Sequence, residues 1–573
     1  MSMSVVKNPI RSGFYPDPSV CRVGDTYYCV HSSFGYAPGI PLFKSTDLIH
    51  WEQIGHVLKS KEQLQLNGAA TSGGIYAPTI RYHQGTFYVI VTNVTHGGNF
   101  YVTCNNPEGT WSEPHILPEA EGIDPSLYFE GDKCYYIGQR SKKEAAYFGD
   151  CEIWIQELDY HSHQLVGKSQ AIYDGALKKA YWPEGPHLYK KDGYYYLLIA
   201  EGGTEYAHSI CAARSRELLG PYESCPWNPV FTHRHLGHSY PIQNAGHGEL
   251  FDTPDGNWYM VMLATRPYQE GAELGRETFL ADVTWEEDWP VINAGEGRLR
   301  PYQIIQTAGG KKAELTKPIA LMKPIESAED AELRETTEII EDIQIKEITK
   351  RVDNIDKNLY WNPNPDMRII GLRRNILLEG YKGCRVQNNR LYLPLLQAEL
   401  WDIHTVPAFL GIRLTDTEFS MSVRMEFSPE ATSCEAGLVY YYDENNYIQF
   451  IVTKQSVQII CRKNGTDEIA VTVDIIDAEK SIRKEGSRKE PEKQHTLTIT
   501  GKKQTASFQY DGRIIADNLS LSYLCSERAG GFTGCTVGIY GATHNKFTEQ
   551  DFSKYHSQAT ENFAIFDTIY TNL

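Results

Sequence analysis

Long apolar runs are missing from this 573-residue chain, and no stretch approaches the ~20 consecutive apolar residues of a membrane helix. The opening Met-Ser-Met-Ser-Val-Val-Lys-Asn-Pro-Ile is too polar for a secretory signal, so a cytoplasmic location is expected. Positive charge is short as well, with 55 basic residues against 73 acidic ones and a net charge of -18. Such a surface repels phosphate backbones and anionic headgroups, which sets aside nucleic-acid and membrane partners. The 12 cysteines include no C-x-x-C pair. Scattered in this way they read as free thiols in a reducing compartment rather than as a zinc site or a disulfide framework.

What the chain holds instead is aromatic rings with a polar handle: 37 Tyr and 10 Trp beside only 8 Met. These suit sheet surfaces and flat polar ligands such as sugars. Five segments repeat a turn followed by paired aromatics and an apolar tail: Gly24 to Val30, Gly85 to Ile90, Gly131 to Ile137, Gly193 to Ile199 and Gly256 to Met262. Each reads as a hairpin entering a strand, with a second strand upstream. The register between the two is constant, since Pro18 to Tyr28, Pro78 to Tyr88, Pro125 to Tyr135, Pro186 to Tyr196 and Glu249 to Tyr259 are all ten apart. Strand repeats at intervals of 47 to 63 residues, without a convincing long helix, predict an all-β, five-bladed β-propeller over residues 1–320.

The first strand of each blade lines the channel of a propeller, so the start of each repeat decides what faces it. Asp17 and Asp124 occupy one slot, immediately before the proline of repeats one and three; Glu184, Tyr76 and His247 fall one place earlier in repeats four, two and five. A charged connector is expected at 321–355. From 356 to 573, alternating runs such as Phe419-Ser-Met-Ser-Val-Arg-Met-Glu-Phe predict a second, β-sandwich domain, with a solvated loop from Ala478 to Lys493.

Three carboxylates at one channel mouth suit glycosidic-bond hydrolysis. Inversion needs a protonated carboxyl for the leaving oxygen and an ionised one, roughly 6.5–9.5 Å away, to activate water. Crowding of acids raises one pKa and keeps the donor protonated.

The blocks Asn8-Pro-Ile-Arg-Ser-Gly-Phe-Tyr-Pro-Asp-Pro-Ser19, Gly122-Ile-Asp-Pro-Ser126, Trp182-Pro-Glu-Gly-Pro-His-Leu-Tyr189 and Gly246-His-Gly248, in this order, closely resemble glycoside hydrolase family 43. The second half resembles the concanavalin-like jelly-roll sandwich carried by the β-xylosidase branch. The resemblance implies that Asp17 is the general base, Glu184 the general acid and Asp124 the carboxylate that orients the acid and tunes its pKa. It implies pocket roles for Phe34, Tyr76, Arg276 and, reaching over from the second domain, Phe532. Tyr76 departs from the Trp more usual among xylosidases. His247 would sit beneath the acids near a water or an ion; no cofactor is required, although the family leaves room for Ca2+ in the channel.

The expected activity is exo-acting release of terminal xylose from β-1,4-xylo-oligosaccharides, with α-L-arabinofuranosidase activity as alternative or companion and homo-oligomers permitted. A non-catalytic carbohydrate-binding propeller and a retaining fructan-type enzyme are the rivals; the intact triad argues against the first, and the absent nucleophile motif against the second. Asp47 and His208 have no argument that lifts them above surface decoration.

Overall fold

A computed structural model describes residues 2–269, 271–307, 369–475 apart from 379, 382, 389 and 430, 494–544 and 563–572. The connector expected at 321–355 and the loop from Ala478 to Lys493 lie outside the described residues.

Five four-stranded antiparallel sheets form the first half. Their innermost strands are Ser19–Val23, Ile75–His83, Ile123–Glu130, Glu184–Lys191 and Gln243–Asp252. Each packs against the next and the fifth against the first, which closes the ring of a five-bladed propeller. The N-terminal strand Ser2–Lys7 pairs with Tyr302–Thr307. The chain then crosses blade five, where Arg11 and Thr278 exchange backbone hydrogen bonds of 3.2 and 3.1 Å before blade one begins. Blades one and five are thereby stitched through the same segment that carries Asp17.

The constant register has a simple cause. In blades one to four the first hairpin closes on a two-residue tip, Gly24-Asp25, Gln84-Gly85, Gly131-Asp132 and Asp192-Gly193. Such tips need left-handed backbone, and φ is +61° at Gly24 and +87° at Gly85. Blade five differs. Its strands part at Asp252 and Trp258, and Thr253 N–H donates to the Asn257 carbonyl at 2.8 Å, leaving the three-residue tip Pro254-Asp255-Gly256. Tyr259 pairs with Phe251, as Tyr28 pairs with Cys21 and Tyr196 with Tyr189. The proline slot therefore falls on Gly248, eleven residues before Tyr259, and the expected ten-residue offset from Glu249 is one out. His247 consequently moves into the slot of Asp17 and Asp124.

The channel is plugged by side chains. Arg81 donates through Nε to the Leu127 carbonyl at 3.1 Å, through Nη1 to the Glu249 carboxylate, and lies with Nη2 3.1 Å from His187 Nδ1. Glu249 also accepts from Val20 N–H at 3.0 Å. One guanidinium and one carboxylate thus bridge all five blades. Glu249 is buried, its side chain only 2% exposed, so the pair is not an ordinary surface bridge.

The second half is a sandwich of a seven-stranded and a six-stranded antiparallel sheet, filled by a core that includes Leu393, Val423, Leu438, Phe450, Ile499 and Val537. It docks directly on the propeller. Gly371–Leu372 pairs with Tyr36–Ala37, and a shared cluster joins Phe14, Phe34 and Tyr36 to Phe409, Tyr441 and Tyr540. Buried polar contacts cross the seam as well: Thr71 Oγ1 with Tyr441 Oη at 2.8 Å, and the Tyr440 hydroxyl donating to Glu273.

Replacing Arg81 by Met should leave Glu249 buried without its cation and destabilise the propeller by about 3–5 kcal/mol, read as a lowered midpoint in urea unfolding. The double variant Arg81→Met with Glu249→Gln should regain part of that loss.

Candidate active site

Asp17, Asp124, Gly185 and His247 have φ of +52°, +55°, +55° and +45°, one in each of blades one, three, four and five. This left-handed kink is costly for residues with a Cβ and recurs at the same slot, just before the strand enters the channel. In blade four glycine takes the slot because a Cβ there would lie 3.0 Å from His247 Nε2. The acid is accordingly displaced by one residue, to Glu184. That displacement agrees with the sequence expectation.

Asp17 is buried and held from several sides. Ser32 Oγ donates to its Oδ2 at 2.6 Å, Arg276 Nη1 donates to its Oδ1 at 3.1 Å, and His247 Nδ1 lies 3.7 Å from Oδ1. Burial pushes its pKa up, but Arg276, His247, the Ser32 hydroxyl and His208 together outweigh it and leave Asp17 below its ordinary value. Asp17 is therefore ionised at neutral pH.

Glu184 is partly exposed to the mouth and behaves oppositely. Burial, then the charges of Asp124 and Asp17, drive its pKa well above the ordinary value, and Arg276 offsets this only in part. Asp124 is pushed up to about 6, by burial first and by Asp17 further, against His247 and the Gly185 N–H, which donates to Oδ2 at 3.2 Å. Of the two, Glu184 is pushed the higher, with the charge of Asp124 as one of its causes. Asp17 and Glu184 come from blades one and four, which are not neighbours in the ring, so they face the mouth from separate sides.

The remaining expected pocket residues converge here. Phe34 stacks on Phe532 with centroids 6.3 Å apart and a tilt of 24°, and Tyr76 stands 5.0 Å from Phe34 and 6.2 Å from Phe532. Tyr76 is fixed by its hydroxyl, which donates to the Ser72 carbonyl at 2.8 Å. Arg276 lies beneath the two phenylalanines, 5.5 and 5.7 Å from their ring centres. Besides Asp17 it donates to Thr204 Oγ1 at 3.0 Å and to the Phe532 carbonyl at 3.3 Å. Phe532 comes from the sandwich and is anchored by its own N–H to Ser72 Oγ at 2.9 Å. Gly275 permits the approach, because a Cβ on it would lie 2.8 Å from Gly534. Three aromatic rings from both domains, with one guanidinium, line one end of the mouth.

One expectation fails. His208 is no surface residue: it is 1% exposed and donates from Nδ1 to the Asn244 carbonyl at 3.0 Å. Burial lowers its pKa to about 3, so the ring is neutral with Nε2 unprotonated. Asp47 stays outside the site, where it accepts from Ile49 and His50 N–H at 2.9 and 2.8 Å and shapes a turn. Ser32 and Thr204 join the site without having been singled out; Ser32 lies two residues before Phe34, which was.

Calcium takes about six to eight oxygen ligands. Below the acids the channel offers Glu249, already bonded to Arg81 and Val20 N–H. Among the described residues no group of three or more His, Cys, Asp or Glu side chains is arranged to hold a metal. The chemistry below rests on the protein's own groups.

Comparison with known proteins agrees with the geometry. Residues 6–290 match the profile of Glycosyl hydrolases family 43, and residues 355–556 that of the Beta xylosidase C-terminal Concanavalin A-like domain. A xylosidase/arabinosidase from Butyrivibrio fibrisolvens is 42% identical over 562 residues, covering 96% of this chain and 98% of that protein. A non-reducing end alpha-L-arabinofuranosidase from Bacteroides ovatus is 31% identical over 95% of this chain and 92% of its own. The crystal structure of xylan beta-1,4-xylosidase from Bacillus halodurans C-125 superimposes with a TM-score of 0.78 at 29% identity, covering 99% of this chain and 100% of that one. The chain is a glycoside hydrolase and belongs to glycosyl hydrolase family 43.

Proposed function

We propose that this exo-acting glycoside hydrolase releases terminal xylose from β-1,4-xylo-oligosaccharides by a single inverting displacement. The observation that carries the reading is two buried carboxyls facing one mouth from blades one and four, with Arg276 and Ser32 donating to Asp17 and neither donating to Glu184. Asp17 is held ionised and takes a proton from water; Glu184 is held protonated and gives its proton to the departing oxygen. Asp124 lies against the Gly185 backbone and keeps the Glu184 proton in place by adding negative charge beside it. Arg276 both fixes Asp17 and presents a planar donor fork under the sugar pocket. The Phe34, Tyr76 and Phe532 rings bound a single sugar, which agrees with removal from a chain end.

Arabinofuranose is the second reading, favoured by Tyr76. A phenol there occupies less of the wall than the indole more usual among xylosidases, and relatives of both specificities match over nearly the whole chain.

Nitrophenyl β-xyloside should be turned over with higher kcat/KM than nitrophenyl α-L-arabinofuranoside, and proton NMR of the first product should show α-xylose. The reverse preference would select the second reading, and β-xylose as first product would overturn inversion.

Replacing Glu184 by Gln should lower kcat/KM on xylobiose by about 10²–10⁴. The loss on nitrophenyl xyloside should be smaller, because a nitrophenolate departs without a proton.

The pH profile of kcat/KM should be a broad bell. Its acid limb reports protonation of Asp17 and should lie below the ordinary aspartate range; its alkaline limb reports ionisation of Glu184 and should lie above the ordinary carboxyl range. Arg276→Ala removes the cation that stabilises ionised Asp17, so the Asp17 pKa rises and the acid limb moves to higher pH.

A further inference from the structure

Behind the sugar pocket, where the sandwich meets the propeller, lies a cation that the fold leaves without an anion. Three arginines are buried among the described residues, Arg276, Arg373 and Arg413. Arg276 pairs with Asp17 at 3.1 Å, and Arg373 donates to the Thr405 and Leu400 carbonyls at 2.8 and 3.5 Å. Arg413 is 2% exposed, and its Nε, Nη1 and Nη2 have no acceptor. It ends the sandwich strand Ala408–Arg413, and its guanidinium reaches the propeller, 4.9 Å from the Tyr15 ring centre and 5.5 Å from that of Phe14. Aromatic faces attract a cation but do not take up the N–H groups of its planar fork. The surroundings add positive charge. Arg11 lies 4.9 Å from the centre of the same Tyr15 ring and repels Arg413. His31, 5.5 Å from Tyr15, is held neutral by burial first and by both arginines further. The carboxylates of this region are engaged elsewhere: Asp17 with Arg276, Glu277 with Arg266, and Asp443 with Asn445 N–H and the Asn446 amide. Next to Arg413 the hydroxyl of Tyr36, a fully buried ring, is a further group without a partner. Both border Thr536, which faces Arg413 across the sheet.

We propose that Arg413 and the Tyr36 hydroxyl hold a small monovalent inorganic anion, of the size of chloride, in the seam between the two domains. A buried guanidinium without a counter-charge is costly, and the low dielectric that makes it so also strengthens its pull on an anion. The net charge of -18 gives the chain no general attraction for anions, so the affinity has to come from this place. Arg413 supplies charge and N–H donors from the sandwich, and Tyr36 supplies an O–H donor from the propeller. Arg11 adds a second positive charge across the Tyr15 ring. One negative charge matches the one unpaired guanidinium. A multivalent oxyanion such as phosphate would bring more acceptor oxygens than these donors can serve. Bound here, the ion clamps the sandwich to the propeller one ring behind the sugar pocket, because Phe14, against which Arg413 lies, has its centre 5.6 Å from that of Phe34.

The test follows thermal unfolding of the full-length protein while sodium chloride replaces sodium gluconate, an anion too large for the seam, at constant ionic strength so that screening stays fixed. Between roughly 1 and 100 mM chloride the wild-type midpoint should rise by about 2–4 °C and level off, and bromide should act alike. Arg413→Met should show no saturating rise. Tyr36→Phe keeps the cation and the ring but loses the hydroxyl, and should need about tenfold more chloride for the same rise. In a wild-type crystal grown with bromide, the anomalous signal should peak within hydrogen-bonding reach of the Arg413 guanidinium, a result that does not depend on either variant folding. A wild-type midpoint equal in chloride and gluconate, or a chloride rise that persists in Arg413→Met, would overturn the proposal. So would a bromide crystal with only water against Arg413.

Discussion

The Arg81 guanidinium in the channel is the constraint on which the rest of the propeller depends. A five-bladed ring has a narrow axis, and one cation reaching the strands of three other blades, with its carboxylate partner reaching the fifth, fixes how far apart those strands stand. The reacting groups hang from the same scaffold. Ser19, Ser126, His187 and Glu249 each lie two residues beyond Asp17, Asp124, Gly185 and His247. The channel network therefore sets the spacing of the mouth residues one short step away: Asp124, Gly185 and His247 lie within the channel strands and Asp17 two residues before one.

Electrostatics at the mouth follow from an unequal distribution of partners. Three carboxyls share one buried space, but Arg276, the Ser32 hydroxyl and His247 gather on Asp17. Glu184 is left with burial and two negative neighbours. Two nearby acids thereby hold opposite protonation states, which is the requirement for moving one proton from water and another onto the leaving oxygen. Arg276 has two tasks: it lowers Asp17 and, through the Phe532 carbonyl, ties the Asp17 side of the site to the sandwich domain.

Much of this was legible in the chain because propeller blades repeat. Two-residue hairpin tips keep a fixed count between the channel slot and the tyrosine at the third position of the next strand, so Asp17, Asp124 and the displaced Glu184 could be placed by arithmetic. The same arithmetic slipped at blade five, where a tip one residue longer absorbs the difference and shifts His247 into register with the aspartates. Residues outside the repeat left no such trace. His208 and Thr204 flank the start of a third strand, about which the repeat says nothing. Arg81 looked like any strand arginine between Ile80 and Tyr82, since its importance lies in partners 46 to 168 positions away. Phe532 was reachable only through likeness to a family, because a glycine-flanked aromatic carries no signal of the surface it will cover.

That last residue changes how the two halves of the molecule relate. The ring that packs against Phe34 and Tyr76 at the mouth belongs to a separately packed domain, and its backbone also accepts from the arginine that holds Asp17. The sandwich is in this sense a covalently tethered ligand of the propeller, kept at high local concentration by the chain that joins them. Shape selection for the sugar then becomes a property of domain docking. Any change that loosens the seam around Tyr441 and Tyr440 would alter catalysis without touching a single carboxylate.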